Sequence, residues 1–335
     1  MNAIPDPLET TMTSPTRPLG GSGLKVSSIG FGCWAIGGPA FRDGNPIGWG
    51  KVDDDESVAA IHAALDAGVT FFDTANVYGA GHSERVLARA LADRRDQVVI
   101  ATKFGNLIDE DTKHAVGRDA SPASIREQCE GSLTRLGTDV IDLYQFHIGD
   151  YDPVQAEEVV ATLEELVAAG KIRSFGWSTD DPERAKLFAR SPHCSAVQLH
   201  ANVIDDNPAM VALIESENLA GINRGPLAMG ALTGKFTPRT TFADDDVRRR
   251  FDFAGKEGRT LEALEQIREI LTSGGRTLAQ GSLGWLLARS PAFVPIPGIR
   301  TVEQARENAG ALTHGPLDDA AMAEIDTILA GLNLR

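Results

Sequence analysis

Short apolar runs alternate with amphipathic helical segments along most of the chain. The runs are rich in Val, Ile and Phe and lack strict alternation of polar and apolar residues, which is typical of parallel strands buried on both faces. Roughly eight strand–helix units in one chain predict an α/β fold, a closed (β/α)8 TIM barrel, which usually needs about 250 residues. The predicted strands are residues 26–34, 69–75, 98–103, 140–147, 174–179, 196–200, 220–223 and 293–298.

The helical segments carry start and stop signals. Ser121, Asp152 and Asp181 are each followed by proline, the pattern of an N-cap residue with Pro at the first helical position. Gly68 and Gly137 follow the last residues of two segments, as expected at helix C-termini. The local signals therefore support the same order of strands and helices as the hydrophobic pattern.

The ends and loops of the barrel account for the remaining residues. Residues 1–17 are rich in Pro and Thr and are predicted to form a disordered tail, within which Met12 is an alternative start. Residues 18–335 are predicted to form one barrel domain, with an N-terminal hairpin closing the barrel bottom. The long polar segment 235–258 follows the seventh strand, and we expect it on the top face, as a solvated loop or as a cover over a ligand.

Composition narrows the classes of function. The 335 residues carry a formal charge of −15, which argues against nucleic-acid and membrane-surface partners because both require basic surfaces. Cys33, Cys129 and Cys194 are far apart, so we expect reduced thiols in a cytoplasmic protein rather than disulfides or a zinc site. We see no apolar run of membrane-spanning length and no signal peptide. The histidines lack metal-ligand spacing, so no metal is predicted.

Polar residues close five of the predicted strands. Asp73, Lys103, His147, Ser178 and Gln198 each end an apolar run. In a parallel barrel the C-terminal ends of the strands share one mouth, where barrel enzymes carry their active sites. We therefore expect these five side chains to meet at the top of the barrel.

The segment VTFFDTANVYG, residues 69–79, adds a tyrosine close to this mouth. The pKa of a free tyrosine is about 10, and a neighbouring lysine ammonium would lower the pKa of Tyr78. A buried Lys103 needs a counter-charge, which Asp73 can supply, and His147 can donate a hydrogen bond to the same substrate oxygen. Since we find no paired nucleophile and no acid–base pair of carboxylates, the group predicts proton delivery to a carbonyl oxygen, with electrons supplied by another molecule.

Several segments together resemble the aldo-keto reductase superfamily. They are FFDTANVYG, ATKFG, DLYQFH, GWST, GPLAMGALTGK and IPGIRTVEQARENAGAL, which occur in family order from about residue 18 to the C-terminus. The resemblance implies a single (β/α)8 barrel that binds NAD(P)H without a Rossmann fold, and consistently no G-x-G-x-x-G follows a strand. It also implies reversible reduction of an aldehyde or ketone to an alcohol.

The resemblance further implies a catalytic tetrad of Asp73, Tyr78, Lys103 and His147. Tyr78 would be the proton donor, Lys103 would tune its pKa, and Asp73 would hold Lys103. His147 would orient the carbonyl while hydride passes from C4 of the nicotinamide to the carbonyl carbon.

A cofactor site on the top face follows from the same resemblance. Ser178 and Gln198 are similar to the pair that hydrogen-bonds the nicotinamide carboxamide. Arg300, with amides at the start of the last barrel helix, suits a 2′-phosphate, which favours NADPH while NADH stays possible. The predicted cofactor residues are Trp34, Ser178, Thr179, Gln198, Arg224, Gly225, Pro226, Leu227, Lys235, Gly298, Arg300, Gln304 and Asn308.

Three positions depart from the family pattern. Thr179 stands where the family often has Asn, and Gln304 stands where many members carry a phosphate-binding Arg. Arg224 stands where an aromatic ring usually stacks on the nicotinamide, so its guanidinium would lie over that ring or point to the phosphates. These departures bear on the cofactor preference more than on the chemistry.

Two other functions compete with carbonyl reduction. One is a cofactor-binding regulatory or sensor protein of the same family, which slow turnover with tightly retained nucleotide would identify. The other is an unrelated barrel hydrolase or isomerase, which would need metal ligands or a general-base carboxylate at the strand ends. Trp34, Phe104 and the loop 236–258 predict an apolar pocket suited to aromatic groups, and His200 is also expected to line it at the barrel top. The substrate is left open among a sugar, a steroid-like ketone and a toxic aldehyde. No heptad or exposed apolar stripe indicates an oligomer.

Overall fold

The computed structural model describes residues 15–335, and eight parallel strands form its centre. The strands β1 to β8 are Phe31–Gly32, Phe71–Asp73, Val99–Phe104, Ile141–Phe146, Ile172–Ser178, Cys194–His200, Ala220–Arg224 and Phe293–Pro295. Each strand pairs in parallel with its neighbour in the chain. The ring closes because the N–H groups of Gly30 and Gly32 donate to the carbonyls of Pro295 and Pro297, both at 2.9 Å. The predicted (β/α)8 TIM barrel is confirmed.

Among residues 15–335, α-helices surround the ring of parallel strands. The α-helices α1 to α10 are Asp54–Asp66, His82–Leu91, Pro122–Leu136, Pro153–Ala168, Pro182–Ala189, Pro208–Ser216, Gly258–Leu271, Leu278–Arg289, Val302–His314 and Asp319–Gly331. The predicted N-caps Ser121, Asp152 and Asp181 each accept a hydrogen bond from a backbone N–H of the first turn, with Pro following. Gly137 ends α3 with a φ of 63°, in the left-handed region that glycine favours.

The barrel bottom is closed by an antiparallel hairpin of Thr16–Pro18 and Lys25–Ser27, as predicted. Leu19 and Val26 are fully buried and join the apolar side chains inside the barrel. The predicted tail of residues 1–17 is therefore wrong at Thr16 and Arg17, which belong to a strand. Residues 1–14 of that tail lie outside the described residues.

A second, larger core lies between the strands and the helices. Phe104, predicted in the pocket, instead belongs to this outer core, with its ring 4.6 Å from that of Tyr144. The reason is the alternation of side chains along a strand, which turns Phe104 outward because its neighbour Lys103 points inward. The prediction for Phe104 is therefore wrong.

Loops on the top face build the surroundings of the strand ends. A small sheet combines Phe41–Arg42, Asn45–Pro46, Asn106–Asp109 and His114–Arg118.

Short 3-10 helices lie at Gly20–Ser22, Ala35–Gly37, Arg95–Gln97, Ala228–Thr233, Val247–Arg250 and Ser273–Gly275. Among residues 15–335, no helix has the length and apolar character needed to cross a membrane.

Candidate active site

A buried ion pair lies at the centre of the mouth. Asp73 ends β2 and Lys103 lies near the end of β3, and both side chains are almost completely buried. The Lys103 ammonium donates to Asp73 Oδ1 at 2.5 Å, to the carbonyl of Thr74 at 2.8 Å and to the hydroxyl of Tyr78 at 3.1 Å. Burial acts to lower the pKa of Lys103, but the charge of Asp73 and the interactions with Tyr78 outweigh it and raise that pKa. Lys103 is therefore a cation whose three N–H groups all have partners.

Two glutamines hold the other oxygen of Asp73. The side-chain amides of Gln145 and Gln198 each donate to Oδ2 at 2.8 Å, and Gln198 also donates to the Gln145 carbonyl oxygen at 3.2 Å. Gln145 did not stand out in the sequence because it lies inside an apolar run. Gln198, predicted to contact the cofactor, binds Asp73 and does not line the cavity. The two glutamines therefore fix the Asp73 carboxylate.

Tyr78 reaches the ion pair from the turn between β2 and α2. This turn needs glycine at Gly79, because φ is +63° and a Cβ atom there would lie 1.8 Å from the carbonyl oxygen of Gly37. The Tyr78 ring stacks on Trp34, with ring centres 5.9 Å apart, and faces the edge of His147 at 6.2 Å. Burial raises the pKa of Tyr78 and outweighs the lowering by Lys103. The expected lowering by Lys103 is present but does not dominate, so the phenol is protonated at neutral pH.

His147 follows β4 directly, and its backbone N–H donates to the carbonyl of Phe104 at 2.8 Å. Burial, and then the charges of Lys103 and three arginines, hold the pKa of this imidazole well below its usual value. Its Nδ1 atom is buried without a hydrogen-bond partner in residues 15–335. A neutral imidazole carries one N–H donor, which suits a hydrogen bond to an uncharged carbonyl oxygen.

A cavity of about 270 Å³ begins at Tyr78 and extends to the N-terminal end of α9. Its wall includes ten of the predicted cofactor residues: Trp34, Arg224, Gly225, Pro226, Leu227, Lys235, Gly298, Arg300, Gln304 and Asn308. Asp73 and Tyr78 also line it, Lys103 is fully buried against them, and His147 is partly exposed beside Tyr78. The structure therefore gathers most of the predicted site around one cleft.

Ser178, Thr179 and His200 do not line this cleft. The Thr179 hydroxyl donates to the carbonyl of Gly149 at 3.0 Å and accepts from the N–H of Asp181 at 3.2 Å. Because this hydroxyl has a single proton, its donor is already committed to the loop after β5. Ser178 is buried beside it, and His200 turns toward Asp205, whose carboxylate lies 3.2 Å from its ring.

The far end of the cleft is formed by the start of α9. The backbone N–H of Arg300 donates to the side-chain oxygen of Gln304 at 2.8 Å. The Arg300 guanidinium donates to the carbonyls of Trp49 and Lys51, at 3.3 and 2.7 Å. Burial and the nearby charge of Arg248 lower the pKa of Arg300. A half-buried arginine that binds only carbonyl oxygens within residues 15–335 keeps its positive charge available to an anion.

The polar segment 235–258 crosses this end of the cleft. Within this segment, the backbone N–H of Val247 donates to the carbonyl of Gly48 at 2.8 Å, and Asp246 forms a β-bridge with Trp49. Arg248 lies between two rings, 4.4 Å from the centre of Trp49 and 4.3 Å from that of Phe242. Lys235, Phe236 and Arg248 of this segment line the cavity, whereas most of its other residues are exposed to solvent.

Trp49 and Arg248 carry no signal in the sequence because their meeting depends on two distant loops. The loop after β7 has a strained backbone, which the sequence likewise does not indicate. Ala228 and Met229 have φ values of 46° and 53°, in the left-handed region that non-glycine residues seldom adopt. Such strain clusters at ligand-binding loops. Met229, with Gly230, lines the cavity.

The donor set of the cleft fits a nicotinamide dinucleotide. Four cationic side chains line the cleft, Arg224, Lys235, Arg248 and Arg300, and give it the positive charge that an anionic ligand such as a dinucleotide requires. The His147 ring lies edge-on to Tyr78, beside the place where a reacting carbonyl would be held. All three cysteines are free and buried, and residues 15–335 contain no group of His, Cys, Asp or Glu side chains arranged for a metal ion.

Comparisons with known proteins agree with this geometry. A model described as the aldo/keto reductase family matches residues 28–330. The chain is 33% identical to the aldo-keto reductase YhdN of Bacillus subtilis, over 92% of this chain and 91% of the relative. It is 30% identical to the NADH-specific methylglyoxal reductase of Escherichia coli, over 88% of this chain and 92% of that relative. The solved glycerol dehydrogenase AKR11B4 of Gluconobacter oxydans superposes with a TM-score of 0.82 at 32% identity, covering 96% of each chain.

Proposed function

Because the chain belongs to the aldo/keto reductase family and is an NAD(P)H-dependent oxidoreductase, we propose that it reduces an aldehyde or ketone to an alcohol with NADPH as the preferred cofactor. One observation carries the proposal. Lys103 binds both Asp73 and the Tyr78 hydroxyl, and Asp73 and Tyr78 line a cleft rich in cationic side chains. This arrangement suits proton delivery at one end of a bound dinucleotide.

The residues of the site divide the reaction between them. When bound, the reduced nicotinamide supplies a hydride to the carbonyl carbon. Tyr78 gives its hydroxyl proton to the carbonyl oxygen, so hydride and proton together complete the alcohol. Lys103 stabilises the phenolate that remains, because its ammonium lies 3.1 Å from the Tyr78 oxygen. The N–H of neutral His147 orients the carbonyl and stabilises the negative charge that develops on its oxygen.

The preference for NADPH is argued from the end of the cleft at α9. Arg300 lies beside the first turn of this helix, whose dipole favours an anion, although the N–H groups of Val302 and Gln304 already donate to Glu56 and Thr301. Lys235 adds a second cation, although it is 3.7 Å from the carboxylate of Glu307. A 2′-phosphate would find both cations there, whereas NADH offers a neutral hydroxyl. The E. coli relative is NADH-specific by name, so the preference needs its own measurement.

Two linked measurements test the proposal. Protein fluorescence is followed during titration with NADPH and, separately, with NADH; then an aromatic aldehyde is added and nicotinamide absorbance is recorded. We expect tighter binding of NADPH and loss of absorbance only after the aldehyde is added. Tyr78→Phe should reduce kcat about 100-fold or more, the range for loss of a general acid, while the Kd of NADPH stays nearly constant. Undiminished turnover by this variant would show that Tyr78 is not the proton donor.

A further inference from the structure

The wall of the cleft nearest Tyr78 carries an arginine, Arg224, at the end of β7. The side chain of Arg224 is 42% exposed, and its guanidinium pairs with Asp180 in the loop after β5. Asp180 also accepts the backbone N–H of His200 at 2.6 Å, which fixes the carboxylate between two strand ends. Asp180 thus holds Arg224 at the mouth of the barrel, where Arg224 lines the cavity together with Tyr78.

The pairing with Asp180 leaves most of this guanidinium available. Within residues 15–335, Asp180 is its only hydrogen-bond partner, and a guanidinium has five N–H donors. Both members of the pair are about half exposed, so their attraction is screened by water and contributes little to holding the charge in place. A carboxylate entering the cleft could therefore bind the free edge of Arg224 without breaking a strong ion pair.

Other positive charges surround the same place. The pKa of His147 is lowered first by burial and then by the positive charges of four side chains, Lys103, Arg224, Arg42 and Arg118. Arg42 is connected to His147 through Asn106: it donates to the side-chain oxygen of Asn106 at 2.6 Å, and Asn106 donates to the carbonyl of His147 at 3.3 Å. A chain of net charge −15 thus concentrates arginines around its candidate catalytic histidine. Such local potential raises the concentration of anions at a site.

We propose that Arg224 selects carbonyl substrates that also carry a carboxylate, an inference that rests on the proposed function. The reacting carbonyl lies at Tyr78 and His147, and the carboxylate binds the free edge of the Arg224 guanidinium. This replaces the expectation of a purely apolar pocket. This role differs from both earlier alternatives for Arg224, which placed its guanidinium over the nicotinamide or toward the phosphates, and it leaves the phosphates to Lys235, Arg248 and Arg300.

The test compares two aldehydes that differ in charge and little in shape, 4-carboxybenzaldehyde and 4-methylbenzaldehyde. We measure kcat/KM for both, with saturating NADPH, for the wild type, Arg224→Gln and Arg224→Lys. The control is Arg126→Gln, which removes the same charge from an exposed pair with Glu165 on the outer helices. The Kd of NADPH is measured for every variant.

We expect the wild type to prefer the carboxylate. Arg224→Gln should lower kcat/KM for 4-carboxybenzaldehyde about 10- to 100-fold, the usual range for a hydrogen bond to a charged group, and change the neutral aldehyde about threefold or less. Arg224→Lys should keep part of the preference, high salt should reduce it, and Arg126→Gln should leave it intact.

Three results overturn the inference. If the wild type reduces both aldehydes equally well, the reductase function stands but the selectivity does not. If Arg224→Gln lowers both rates equally, or weakens NADPH enough to explain the loss, then Arg224 serves the cofactor. If the wild type reduces neither aldehyde, the proposed function itself fails and the selectivity falls with it.

Discussion

Replacement of Lys103 by methionine tests the central ion pair most directly. Lys103→Met keeps the length of the side chain but removes three donors, leaving the carboxylate of Asp73 buried without its cation. Breaking one side of a buried ion pair costs about 3–5 kcal/mol of unfolding free energy. An unfolding entropy of about 2.1 cal/mol/K per residue gives about 0.7 kcal/mol/K for a chain of this length, so Tm should fall by about 4–7 °C. Calorimetry or thermal circular dichroism measures this shift.

The same variant should lose catalysis by a separate route. Without the ammonium, only the smaller effect of Arg224 opposes burial and the charge of Asp73, so the pKa of Tyr78 rises further and its phenolate loses its main stabilising charge. We expect kcat to fall about 100-fold or more, within the range for general acid catalysis, with little change in the Kd of NADPH.

A double variant separates the two losses. Asp73→Asn added to Lys103→Met removes the uncompensated charge, so most of the lost Tm should return while kcat stays low. The reasoning would be refuted by a Lys103→Met protein that keeps the wild-type Tm and turns over within about threefold of the wild type, since the buried pair would then contribute neither stability nor chemistry.

Two further predictions concern His147 and Arg300. In the folded protein the pKa of His147 lies well below its usual value of about 6.5. Below pH 6.5 the imidazole is therefore protonated in the unfolded chain but not in the folded protein. Unfolding free energy should therefore fall as pH falls, by about 1.4 kcal/mol per unit below pH 6.5. Urea titrations at two pH values should show this loss in the wild type and not in His147→Asn; equal losses would contradict it. Arg300→Ala should raise the Kd of NADPH about tenfold or more and that of NADH far less, by fluorescence titration. An equal change for both nucleotides would mean that Arg300 does not bind the 2′-phosphate.

The parts of the fold that the sequence predicted are those set by local chemistry. Ser121, Asp152 and Asp181 cap helices because each side chain satisfies a backbone N–H only a few residues away. Asp73 and Lys103 were placed together because parallel strands must end at one mouth, whichever strand carries them. These inferences need no knowledge of how loops pack.

The parts that were missed depend on contacts between distant segments. Trp49 and Arg248 meet only because the segment 235–258 crosses the end of the cleft, and nothing near either residue in the sequence indicates the other. Gln145 looks like a core position until Asp73 is seen to need two more donors. Whether the Gln198 amide binds Asp73 or faces the cleft depends on the packing inside the barrel, which a run of apolar residues does not define.

The closure of the ring has a consequence for synthesis of the chain. β1 binds β8, and Arg17 donates to the carbonyl of Ser290, 273 residues further along. At typical rates of translation, β1 leaves the ribosome about 10–50 s before β8 exists to pair with it. During that interval the growing sheet has two open edges, at β1 and at the newest strand, and open edges can pair with other chains. The nascent protein is therefore most exposed to misassembly just before its last strand appears, when the sheet is nearly complete and still a ribbon.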